Sequence, residues 1–106
     1  MFLKKLNAII QMNLDSETFN VTELAKAMAL SRTQLFRRVK MLTQMSPNKY
    51  LKTFRLQKAR VMLESKRYNV SEVAYRVGFK SVSHFSRSFH AEYGFSPSVL
   101  TSRKSQ

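Results

Sequence analysis

The sequence predicts an all-α fold in which a two-helix unit occurs twice, with one long helix between the copies. Three observations lead there. No stretch alternates apolar and polar residues with period two, while apolar residues recur at helical spacing. Two glycines and two prolines in 106 residues are too few for a flexible linker. Residues 21–47, VTELAKAMALSRTQLFRRVKMLTQMSP, align end to end with residues 70–97, VSEVAYRVGFKSVSHFSRSFHAEYGFSP, once Lys80 is taken as an insertion. Val21, Glu23, Ala25, Ser31, Arg37 and Ser46-Pro47 meet Val70, Glu72, Ala74, Ser81, Arg87 and Ser96-Pro97. The apolar positions correspond as well: Leu24 with Val73, Met28 with Val77, Leu35 with Phe85, and Val39 with Phe89. Each copy is one supersecondary unit, present twice.

The chain opens on MFLKKLNAIIQM, where Phe2, Leu6, Ile9 and Ile10 form the apolar side of a core helix. Its lysines interrupt the apolar residues, unlike the ordered regions of a secretory signal. The first helix of each repeat is expected at about 23–29 and 72–77, with Thr22 and Ser71 as N-caps and Glu23 and Glu72 in the first turn. The joints are Ala29-Leu30 before Ser31 and Gly78-Phe79-Lys80 before Ser81. Gly78 supplies a permissive backbone, and Ala29 stands in the same place with less freedom. Ser31 and Ser81 then cap the second helices.

On those second helices the apolar and polar residues separate by phase. At about 100° per residue, Leu35, Val39 and Leu42 share one stripe, and Phe85 and Phe89 form the matching stripe in the second copy. Thr33, Arg37 and Lys40 lie opposite the first stripe, with Phe36 at its edge. Ser83, Arg87 and His90 lie opposite the second, with Ser86 at the edge. Between the repeats, Ser46 followed by Pro47 starts a helix that runs to about Glu64. Tyr50, Leu51 and Phe54 mark one of its sides, and Leu56, Ala59, Val61 and Leu63 mark the other. A helix whose halves bury opposite faces joins two lobes, expected at about 1–46 and 65–106 with the linker helix at about 47–64.

Charge narrows the function. Nineteen Lys and Arg against six acidic residues give a net charge of +13, the balance of a chain that binds a polyanion or an anionic membrane. The absence of cysteine excludes disulfides and thiolate chemistry and fits a cytoplasmic location. No apolar run approaches the ~20 residues of a membrane helix. An enzyme is not expected. Asp15 is the single Asp, no Gly-rich phosphate loop occurs, and His84 and His90 share no helix face that could hold zinc. Neither a metal nor a cofactor is expected.

Helix, short turn, helix is the plan by which a second helix enters the major groove of double-stranded DNA. A central Arg can pair bidentately with guanine, and Ser or Thr can reach base edges or methyls. Arg37 and Arg87, at one phase in two copies, are therefore candidate base readers, with Thr33, Phe36, Ser83 and Ser86 beside them. Arg32 and Arg38, and with them Lys40, Lys80 and His90, are candidate phosphate contacts. The rival reading is a basic protein that binds nucleic acid without sequence preference, as chromatin- or RNA-associated proteins do.

The segments LAKAMALSRTQLFRRVK, MSPNKYLKTFRLQKARVML and VSEVAYRVGFKSVSHFSRSFHAEYGFSPS together resemble the DNA-binding domain of AraC/XylS transcription regulators. The likeness runs from Val21 to Pro97. It implies seven helices: two helix-turn-helix motifs in homeodomain-like lobes, a long linker helix, and one helix before and one after. It also implies base contacts from Thr33, Phe36 and Arg37 in the first motif and from Val82, Ser83, Ser86 and Arg87 in the second. Val82 enters through the resemblance alone. Two departures are visible: PSVLTSRK lacks the Tyr-Arg that often follows this Ser-Pro, and His90 stands where Lys is usual. The resemblance implies RNA polymerase as the partner of an activator, other domains of a longer bacterial regulator, no membrane contact, and a monomeric isolated domain. FLKKLNAIIQMNL is similar to the segment after the receiver in hybrid two-component regulators of Bacteroidetes, so a C-terminal output domain is expected, a free-standing activator being the alternative.

Overall fold

The computed structural model describes residues 1–102, which form seven helices and no strand. They are α1 (Phe2–Met12), α2 (Val21–Ala27), α3 (Arg32–Thr43), α4 (Pro47–Glu64), α5 (Val70–Arg76), α6 (Val82–Tyr93) and α7 (Ser98–Thr101). The molecule measures 50 × 24 × 23 Å. No described helix is long and apolar enough to cross a membrane.

Two apolar clusters sit at opposite ends of α4. Leu6 and Ile10 of α1, Leu24 and Ala25 of α2, Leu35 and Val39 of α3, and Leu51 of α4 make the first. Leu56, Ala59 and Leu63 of α4 join Val73, Val77, Phe85 and Phe89 in the second. The two halves of α4 therefore bury different faces, with Phe54 packed against both clusters. Leu14, just after α1, packs into the second cluster and not the first. Tyr50 donates to Asn7 Oδ1 at 2.6 Å and so pins the first half of α4 to α1.

Several expectations need correcting. The caps of α2 and α5 are Asn20 and Asn69, not Thr22 and Ser71, and both helices start earlier, at Val21 and Val70. Asn20 Oδ1 accepts from the Glu23 amide at 3.0 Å, and Asn69 Oδ1 from the Glu72 amide at 2.8 Å. The Glu72 carboxylate accepts from the Asn69 amide at 2.9 Å, closing a capping box. Leu42 is 52% exposed: burial on α3 centres toward half-buried Thr43, on the other side of Val39. Val61 is 65% exposed, because it lies about 140° around α4 from Leu56 and outside the stripe.

Both repeats turn between their helices on a left-handed residue, Ala29 at φ 59° and Gly78 at φ 89°. Alanine tolerates this at some cost in strain. At position 78 glycine is also required by space. A Cβ there would strike the Arg55 guanidinium and come within 2.6 Å of the Leu14 carbonyl oxygen.

Arg55, only 7% exposed, crosses between the lobes from the middle of α4. Its Nη2 donates to the carbonyls of Ser16 (3.2 Å) and Phe19 (3.0 Å) in the loop before α2. Its Nη1 donates to the carbonyls of Gly78 (2.8 Å) and Val77 (3.4 Å) in the second turn. Burial pushes its pKa down from the ordinary value, yet guanidinium is basic enough to stay charged.

Two stability predictions come from this packing. Leu35→Ala and Phe85→Ala, each emptying a fully buried site, should cost about 2–5 kcal/mol in urea denaturation; wild-type midpoints would mean that the helix phasing is wrong. Arg55→Met should cost at least about 2 kcal/mol, since it strips carbonyls of both lobes of their donor. An unchanged unfolding midpoint would show that the clamp is dispensable.

Candidate nucleic-acid interface

The two second helices are built alike. Ser31 Oγ accepts from the Gln34 amide at 3.1 Å, and Gln34 Oε1 accepts from the Ser31 amide at 2.9 Å, so a capping box starts α3. Ser81 Oγ accepts from the His84 amide at 3.1 Å at the start of α6, where histidine stands in place of Gln34 and no reciprocal bond forms. Both helices end on a left-handed residue, Gln44 at φ 66° and Gly94 at φ 84°. Leu35 and Val39 anchor α3, and Phe85 and Phe89 anchor α6, all fully buried. The opposite faces are thereby held outward.

Thr33, Arg37, Ser83 and Arg87 are exposed on those outward faces, with Ser86 half-buried at the edge. Phe36 is 50% exposed, so the aromatic at the stripe's edge is not taken up by the core. Val82 is half-buried against the second cluster, which explains why outward phasing alone does not select it. Among the described residues the salt bridges are Lys26–Glu23 and Arg60–Glu64, so neither Arg37 nor Arg87 is engaged by a carboxylate.

The candidate phosphate contacts divide. Arg32, Lys80 and His90 are exposed. Lys40 donates to the Gln44 carbonyl at 3.2 Å and so caps the end of its own helix. Arg38 stacks its guanidinium 4.4 Å from the centre of the Phe2 ring, on the flank of α3 turned to α1 and away from Phe36. Arg32 and Lys80 line the clefts described next, whereas Lys40 and Arg38 are engaged within the chain.

Two clefts adjoin the outward faces. One is lined by Arg32, Thr33 and Phe36 of α3, Val21 and Thr22 at the start of α2, and Ser46, Pro47 and Asn48 at the start of α4, with Asn20. The other runs between the lobes, lined by Asn48, Leu51, Lys52 and Arg55 of α4, Glu17, Phe19 and Asn20 on one side, and Gly78, Phe79, Lys80 and His84 on the other. Thr22, Asn48, Lys52 and His84 line these clefts without being marked as site residues by the sequence. Their signal is weak, since each occupies a helix start or a flank whose exposure depends on how the lobes pack.

The fold has close counterparts. A family model described as a helix-turn-helix domain matches residues 24–103. Histidine kinase P4 of Formosa agariphila is 36% identical over 104 residues, 98% of this chain and 8% of that protein. The HTH-type transcriptional regulator MtrA of Neisseria gonorrhoeae is 36% identical over 96 residues, 89% of this chain and 32% of that protein. The chain thus spans at most about a third of these curated relatives. Among solved structures, the DNA-binding domain of AdpA, a global transcriptional factor seen in complex with a target DNA, superposes with a TM-score of 0.84 at 33% identity, covering 93% of this chain and 88% of that one. The C-terminal domain of the two-component response regulator yesN from Fusobacterium nucleatum gives 0.82 at 25% identity, covering 92% and 94%. With its seven helices, two capped and outward-facing second helices, and a matching model over most of its length, this chain belongs to the AraC-type family of helix-turn-helix DNA-binding domains of transcription regulators.

Proposed function

We propose that the chain binds double-stranded DNA sequence-specifically and regulates transcription, with α3 and α6 reading successive major grooves. The observation that carries this is the paired arginine. Arg37 and Arg87 occupy the same phase on two helices that start, end and anchor in the same way, and both face solvent without an acidic partner among the described residues. Thr33 and Phe36 accompany the first, and Val82, Ser83 and Ser86 the second. Arg32, Arg38, Lys40, Lys80 and His90 are the phosphate contacts of this reading, with Arg38 having to leave Phe2 to serve. The likeness to the AdpA domain bound to its target supports the same use of the fold.

The lobes proposed at 1–46 and 65–106 are spaced by α4, whose 18 residues span about 27 Å. That is less than the ~34 Å helical repeat of DNA. Should α3 and α6 themselves lie closer than one turn, the duplex has to bend toward the protein. The relative named histidine kinase P4, of which this chain spans 8%, supports a place as an output domain of a larger two-component regulator in the cytoplasm. Activation through RNA polymerase is the regulatory mode proposed, with the domain monomeric by itself.

Binding should be steeply salt-dependent. A log–log plot of affinity against salt for one duplex should have a slope of several units, as counterions leave several phosphates. A flat plot would exclude nucleic acid as the partner.

A binding-site selection with wild type, Arg37→Ala and Arg87→Ala decides between sequence reading and mere adhesion. Both variants should fold as wild type. Each should lose about 1–3 kcal/mol on the selected site and relax preference at a different position, the two lying about one helical turn apart. Uniform weakening with an unchanged motif would instead establish the nonspecific basic binder.

A further inference from the structure

We propose that the trough between the two lobes is a seat for the phosphodiester backbone bordering the minor groove that separates the two reading sites, with Lys52, Lys80 and His84 as its contacts. This rests on the reading that α3 and α6 enter successive major grooves. The two clefts share Asn20 and Asn48, so one continuous surface runs from the flank of α3, across the first half of α4, to the start of α6. Two helices in successive major grooves straddle one minor groove. The protein surface between them faces the backbones on either side of it.

The charge of this surface suits that ligand. Lys52 and Lys80 stand exposed in it, opposed by one carboxylate, Glu17. Arg55 forms its buried edge. Among the described residues the four partners of the Arg55 guanidinium are carbonyl oxygens and its buried Nε has none, so no carboxylate there cancels this charge. The cations in the trough therefore outnumber the acid.

His84 shows how the repeats diverged toward this use. Its counterpart Gln34 is consumed by the capping box at the start of α3. The His84 ring instead lies edge-on to Phe79, 5.4 Å between ring centres, and its nitrogens have no hydrogen-bond partner among the described residues. Phe79 holds the ring, and a ring N–H is left to donate to a phosphate oxygen.

The test uses the intact chain and duplexes carrying the selected site. In one duplex, uncharged methylphosphonate linkages replace the phosphates bordering the central minor groove; in another, they replace phosphates outside the site. Wild type should lose about two- to fivefold in affinity per central linkage and little for the outer ones. Lys52→Gln and His84→Gln should each lose a comparable factor on the all-phosphate duplex, keep the wild-type motif, and be less sensitive to the central substitution. Lys4→Gln, on α1 outside the trough, should stay fully sensitive. If central neutralisation leaves wild-type affinity unchanged, or if the trough variants respond to it as wild type does, the seat is refuted while the readers stand. If the selection yields no two-part site, the seat falls together with them.

Discussion

A buried guanidinium whose partners among the described residues are all carbonyls holds the two halves of this chain in one arrangement. Among the described residues Arg55 gains no ion pair. Its charge is offset by four carbonyl dipoles, two from the loop before α2 and two from the turn before α6. Charge-assisted hydrogen bonds are stronger than neutral ones, and a planar fork can hold two strands of chain at once. Leaving such carbonyls unpaired inside the protein would be costly. The contact therefore favours one relative position of the lobes over any other. Gly78 gives way to it, since no side chain fits where the guanidinium passes.

Around this clamp the two repeats have drifted apart in instructive places. Phase and caps are kept where they aim a helix: Leu35 and Val39 match Phe85 and Phe89, and Ser31 matches Ser81. They diverge where the lobes meet. Ala29 accepts a left-handed backbone in the first turn, whereas the second turn has glycine because Arg55 lies against it. Gln34 closes a capping box that His84 leaves open. Arg32 is exposed at the start of α3, and its counterpart Val82 packs on the core. The first lobe also draws on α1, while the second takes Leu14 from beyond that helix.

What the sequence makes legible is whatever repeats at short range. The stripes of α3 and α6, the Ser-Pro start of α4 and the turn positions follow from spacing within a few residues, and the all-helical class follows from them. The caps of α2 and α5 are ambiguous because Thr22 and Ser71 are as good in isolation as Asn20 and Asn69; the glutamate three residues after each Asn is the cue that separates them. Leu42 and Val61 show that an apolar residue near a stripe is not thereby in it. The role of Arg55 is illegible in the sequence for a different reason. A lone Arg on a helix ordinarily reads as solvated, and its partners lie 22 to 39 residues away. The trough it edges is equally a product of packing at a distance.

The opposed faces of α4 make that helix a ruler. One residue added to it between Leu51 and Leu56 would turn the second lobe by about 100° and advance it by about 1.5 Å relative to the first. Arg55 or the second core would then lose register, so the spacing of the lobes cannot drift in small steps. The exposed faces of α3 and α6 carry no such burden, since Thr33, Arg37, Ser83 and Arg87 support nothing beneath them. Descendants of this chain are thus free to change which bases they favour far more readily than how far apart those bases lie.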